Sequence, residues 1–186
     1  MTILQEDTIN SLTYPTLVSE LIKPGNNFIE GMTPGSAALL HTSVGLMVSA
    51  NDLEAYTLAG TKEARDTHLG QCEFYLEAMA TELSFDYFVD TRIVSAPSAE
   101  LVHEIRVAVS DILANTMDAV IHKKAIPTAL FYDSMDLVRH LLDTYYNVNN
   151  ISRDDVLSKN IETLSKKPYR RRGMRCTDGN ENGEEA

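Results

Sequence analysis

Asp111, Asn115, Asp118 and His122 recur at steps of four, three and four residues, which sets all four on one face of a helix. His140 and Asp143 stand three apart and share a face in the same way. Carboxylates mixed with imidazoles make a ligand set for Mn²⁺ or Zn²⁺ more than for Mg²⁺, which takes oxygen ligands. The competing account is plain: Asp111 and Asp118 are solvated helix-surface charges, and His122 complements a helix C-terminus. Glu73 and Glu77, four apart, read as a solvated pair before a ligand pair. His41 sits among apolar residues and is expected to be partly buried and satisfied. Cys72 falls on an apolar stripe and is expected to be inert core. The stretch KKPYRRRGMR (166–175) can hold phosphate, RNA or a triphosphate tail, with Tyr169 available for stacking; otherwise it only offsets an acidic body.

That body is strongly acidic. The 186 residues carry a net charge of −11, a surface that a nucleic-acid backbone repels, so general nucleic-acid binding is not expected. Residues 166–186 hold six basic and four acidic side chains, so the acidity is concentrated before them. An apolar content of 44% is enough for one compact core, and the absence of Trp with only 7% aromatics favours helices over a sandwich or barrel. The two cysteines, Cys72 and Cys176, lie far apart without a Cys-x-x-Cys partner, which argues against a disulfide framework or zinc site. MTILQEDTIN lacks the basic and apolar regions of a signal peptide, and no apolar run approaches the roughly 20 residues that span a bilayer. A cytoplasmic setting without membrane contact is the expectation.

The elements that must position these residues read as helices throughout. Residues 1–12 are polar and expected to be flexible, and 13–25 form a short helix stopped by Pro24-Gly25. Thr33-Pro34 starts a long helix, with Leu39, Leu40, Val44, Met47, Val48, Ala50 and Leu53 inward, ending at Gly60. Leu69, Cys72, Leu76, Met79 and Leu83 alternate steps of three and four along the next, a narrow packing seam. FDYFVDTRIVSAPS (85–98) breaks the period and has no evident strand partner, so it reads as a connector. Ser98 caps a helix to about Lys124, with Leu101, Ile105, Ala108, Ile112, Met117, Val120 and Ile121 inward. Another spans 133–148 over Leu137, Val138, Leu141, Leu142 and Tyr145. Ser152 with Asp155 forms a capping-box variant, stapled by Ile151 and Val156, and opens a last helix over Val156, Leu157, Asn160, Ile161 and Leu164. The expectation is an all-α bundle of four main helices with shorter terminal ones, a single domain over 13–168, and a disordered tail over 169–186.

DTHLGQCEFYL (66–76) and VRHLLDTYYNV (138–148) align without gaps, each with His then Leu at the third and fourth places. Two related hairpins, 34–84 and 98–148, are one explanation; two unrelated amphipathic helices aligning by chance are the other.

LVSELIKPG followed by ALLHTSVGL, then HLGQCEFYLEAM, then ISRDDVLSKNIETLSKK, occur in an order that resembles the MazG-like all-α nucleotide pyrophosphohydrolases, small phage-encoded members in particular. The resemblance covers roughly residues 13–84 and 143–168. It implies cleavage of nucleoside triphosphates to monophosphate and pyrophosphate, with Glu-x-x-Glu on one helix and Glu-x-x-Asp on the next holding Mg²⁺ against the triphosphate. Carried across, the first pair falls on Ser49 and Asp52 and the second on His68 and Gln71. Only Asp52 keeps a carboxylate. Ser and Gln are poor Mg²⁺ ligands, and the metal site reads as broken. A displaced site is the alternative, built from Asp52 with Asp111, Asp118, His140 and Asp143.

Three functions are therefore open. The first is a catalytically impaired MazG-like binder of a nucleotide or nucleotide-derived signal, held by Asp52, His68, Gln71, Lys166, Lys167 and Arg170, needing no cofactor. The second is an active pyrophosphohydrolase with Mg²⁺ or Mn²⁺ at the displaced site. The third is a helical protein-interaction module. Apolar seams and the family's habit of assembly imply a homo-oligomer in each case.

Overall fold

The computed structural model describes residues 32–88, 96–122 and 128–166. The chain divides into two compact units, Met1–Pro34 and Gly35–Ala186, and the description below concerns the second. The expected 13–25 helix, the tail over 169–186, and Lys167 and Arg170 with it, lie outside the described residues.

Five helices follow one another: α1 Pro34–Ala59, α2 Lys62–Leu83, α3 Ser98–His122, α4 Thr128–Val148 and α5 Arg153–Ser165. The expected all-α class holds, with no strand among the described residues. Helix α1 starts at Pro34 and stops before Gly60, as the sequence predicts. The Thr61 hydroxyl accepts the Ala64 amide and caps α2. At its other end, Ser84 turns left-handed (φ 51°), and the Phe85 amide closes back on the Ala80 carbonyl at 2.9 Å. Asn150, also left-handed, ends α4 in the same manner, with the Ile151 amide on the Tyr146 carbonyl. Ser152 caps α5 by accepting the Asp155 amide at 3.2 Å, as expected.

Two boundaries move. Ser98 is the first residue of α3 rather than its cap: the Pro97 carbonyl accepts the Glu100 and Leu101 amides, and the Ser98 hydroxyl is spent on Asn149 past the end of α4. Helix α4 begins at Thr128, five residues before the sequence suggests, and its extra turn buries Phe131.

The core is continuous across the bundle. Leu46, Leu53, Leu69, Leu76, Met79, Leu101, Ile105, Ile112, Met135, Leu142 and Tyr145 are almost wholly enclosed, each such large apolar side chain contributing about 1.5–3 kcal/mol. The Cys72 thiol lies among them. Several residues predicted to point inward do not. Val44 and Val48 of α1, Met117 of α3, Leu137 of α4 and Ile161 of α5 are exposed. On α1 their place is taken by Thr42, Ser43 and Ser49, small polar residues whose hydroxyls bond within the bundle. The Ser43 and Thr116 hydroxyls meet at 2.8 Å between α1 and α3. The Glu54 carboxylate ties the same two helices through Arg106 at 2.6 Å and His103 at 3.1 Å.

Candidate functional site

Two glycines set how closely three helices approach. A Cβ on Gly45 of α1 would lie 2.4 Å from the Tyr75 ring of α2, so the ring rests directly on the α1 backbone. A Cβ on Gly70 of α2 would lie 2.9 Å from Asn160 of α5, whose side-chain amide donates to the Gly70 carbonyl at 2.7 Å. Between these contacts α1, α2 and α5 enclose a cavity of about 800 Å³. Helix α1 lines it with His41, Val44, Val48 and Ser49; α2 with Glu63, Asp66, Gln71, Phe74 and Tyr75; α5 with Lys159, Asn160, Glu162 and Thr163, and Lys166 follows at the rim.

The polar groups around this cavity are arranged in layers. Asp66 is buried and holds Arg65 at 2.9 Å, with the Lys159 ammonium 3.8 Å away. The Lys166 ammonium sits 2.6 Å from Glu162. Both lysines are well exposed, 65% and 71%, so each head group can exchange its carboxylate for an incoming anion. The apolar wall carries rings, His41 standing edge-on to Tyr75 at 5.9 Å. His41 is exposed at the cavity's edge rather than partly buried as expected, because the core side of α1 is turned two residues away.

The four positions singled out through the family resemblance converge on facing turns of α1 and α2. His68 Nδ1 lies 3.1 Å from the Gln71 side-chain oxygen and 3.6 Å from Asp52, while its ring stacks on Tyr56 at 5.0 Å. Ser49 is buried and donates its hydroxyl to the Gly45 carbonyl at 2.8 Å. Gln71 and Ser49 face the cavity; Asp52 and His68 are not among its lining residues. The cavity thus presents the Gln71 amide and the Ser49 hydroxyl, and both groups already have partners within the chain.

The displaced set does not come together. Asp143 bonds Arg139 on its own helix. Asp118 lies 3.9 Å from His122, and Asp52 belongs to the His68 cluster. Asp111 lies along a separate shallow groove between α3 and α4 with Asn115 and Asp133, and the Asn115 amide is bonded back to the Asp111 carbonyl. No group of three or more His, Cys, Asp or Glu side chains is arranged to hold a metal ion among the described residues, so Asp52, Asp111, Asp118, His140 and Asp143 form no such group.

Glu73 reverses its expected solvated setting. It is buried, 4% exposed, and grips two guanidinium groups: Arg139 Nη2 donates to Oε1 and Arg153 Nη2 to Oε2, both at 2.9 Å. Burial alone would raise its pKa, but the hydrogen bonds from Arg153 and Arg139 outweigh that and hold it below the ordinary range. Glu77, its presumed partner, is exposed. Sequence reasoning also passed over Asp66, Lys159 and Tyr75. The only local signal was the Arg65-Asp66 pair; Tyr75 depends on how α2 packs on Gly45 of α1, and Lys159 on where α5 docks.

Comparison with protein-family models, with curated proteins and with solved structures finds no match to this chain.

Proposed function

We propose that the cavity between α1, α2 and α5 binds a nucleotide or nucleotide-like anion and does not cleave it. The observation that carries the reading is the pairing of chemistries in one enclosure: rings at Phe74, Tyr75 and His41, amides at Gln71 and Asn160, and exposed ammonium groups at Lys159 and Lys166. A planar base suits the ring-lined wall, and a phosphate suits the lysines. Ser49 and Gln71, standing where the resemblance places carboxylates, supply no carboxylate for Mg²⁺, and two of the cavity's three acids, Asp66 and Glu162, stand beside Lys159 and Lys166. The MazG-like kinship belongs to the same proposal, as does a cytoplasmic setting, where free nucleotides occur. No helix among the described residues is long and apolar enough to cross a membrane.

The test is a thermal-shift panel of mono-, di-, tri- and cyclic nucleotides, run with and without divalent metal. A ligand at 100 times its Kd stabilises the folded chain by about 2.7 kcal/mol. The expected result is a raised Tm without metal, no pyrophosphate release, and loss of the shift in Lys159→Ala. A flat panel overturns the reading, and metal-dependent pyrophosphate release replaces it with the hydrolase.

A further inference from the structure

Helix α1 carries apolar residues on both sides, and among the described residues only one side is buried. Its inner residues pack the bundle, yet Ala37, His41, Val44, Val48, Asn51, Ala55 and Leu58 are all exposed. They recur at steps of four, three, four, three, four and three, the spacing of a helix-pairing seam. Val44 is 44%, Val48 54% and Leu58 65% exposed. None of the seven is Asp, Glu, Lys or Arg, in a chain where 23% of residues are charged. A helix that is apolar all round belongs in an interior, and an uncharged face of this length marks an interaction surface.

The order of residue types says what covers it. About a centre between Val44 and Val48 the seam reads the same in both directions: valine at 44 and 48, a polar side chain at 41 and 51, alanine at 37 and 55. An antiparallel copy of α1 related by a two-fold axis would therefore set Val44 against Val48, His41 against Asn51 and Ala37 against Ala55, each layer occurring twice. The polar layer can bond across the pair and fix its register, as a single Asn does in other helix pairs. Charge favours the same face. Two copies at −11 each repel, but α1 carries no Lys or Arg and only two acids, Asp52 and Glu54. Both lie off the seam and are engaged within their own chain, Asp52 beside His68 and Glu54 with Arg106.

We infer that a second copy of this chain docks on the outer face of α1, antiparallel, with Val44 and Val48 at the two-fold centre. His41, Val44 and Val48 also line the cavity, so the second copy borders that site. The assembly itself does not rest on the nucleotide reading, because the oligomer is measured with no nucleotide present.

The experiment is sedimentation equilibrium of the full chain at micromolar concentrations, beside two variants. Wild type should have twice the chain mass. V44E/V48E should sediment as a monomer with unchanged far-UV circular dichroism, since both positions are exposed within one chain. V44K/V48E should recover the dimer, because an antiparallel pair sets the introduced lysine of each copy against the introduced glutamate of the other. A monomeric wild type overturns the inference. A V44E/V48E dimer overturns the choice of face. A V44K/V48E monomer overturns the antiparallel register.

Discussion

Glu73 shows how one side chain changes meaning once its neighbours are known. Four residues from Glu77, it looks like half of a surface pair; in the bundle it is the buried anion that joins α2 to α4 and α5 through Arg139 and Arg153. Removing it leaves Arg139, 11% exposed, with Asp143 as its remaining carboxylate, and Glu73→Ala should cost about 1.5–3 kcal/mol in urea unfolding. The pH dependence follows from the direction of its shift. A carboxyl held below its ordinary value of 4.5 contributes stability that is present above that value and is lost as pH falls towards the folded pKa. Wild type should therefore lose Tm below about pH 4.5, and Glu73→Gln should flatten that part of the profile. Cys72 is the counterexample, where the sequence-level expectation of an inert core thiol agrees with the structure. Burial first, then the charges of Glu73 and Asp52, push its thiol far up. In a Cys176→Ser variant, Cys72 should resist thiol reagents until the chain unfolds.

At the scale of elements, α5 matters more than its length suggests. It is a 13-residue helix with one fully buried side chain, Val156, and cannot hold its place by apolar burial alone. Its position depends on the Ser152 cap, the Arg153 contact with Glu73, and the close approach of Asn160 to Gly70. Ser152→Ala should cost about 1 kcal/mol of stability. Asn160→Ala, losing one bond to a backbone carbonyl, should cost about 0.5–1.5 kcal/mol. Gly70→Val should do more than either: its side chain would occupy the space of Asn160 and push α5 off α2. The cavity would then open and nucleotide-induced thermal shifts should vanish, while the rest of the bundle keeps its helical circular dichroism. Helix α1 behaves differently. Its inner face is anchored by small polar residues against α3, leaving the larger valines outside.

For the whole molecule, the cavity and the outer face of α1 share His41, Val44 and Val48, so ligand binding and self-association are expected to be linked. A ligand that prefers one assembly state must shift the equilibrium between them, and that linkage is reciprocal. Nucleotide that raises Tm should also change the dimer dissociation constant in sedimentation; an unchanged constant would separate the two properties.

Much of the architecture was legible before any coordinate. Pro34 after a Thr, Gly60, and Ser152 with Asp155 mark helix ends by local backbone chemistry, and the seam from Leu69 to Met79 marks a buried face by spacing alone. These signals act within a few residues, so a linear chain carries them whole. Asp52, His68 and Gln71 were singled out through the resemblance alone, and their proximity in the structure needs only two successive helices folded back on each other. What tertiary structure decided was everything that depends on rotation of one helix about its axis or on a partner far along the chain. Helix α1 has apolar residues on both sides, so periodicity could not say which side faces in, and Val44 and Val48 went the other way. Glu73 meets Arg139 and Arg153 from 66 and 80 residues away, and Lys159 meets Asp66 only because Gly70 lets α5 come close. A burial pattern is written in neighbouring residues, whereas an ion pair across helices exists only once packing has brought its members together.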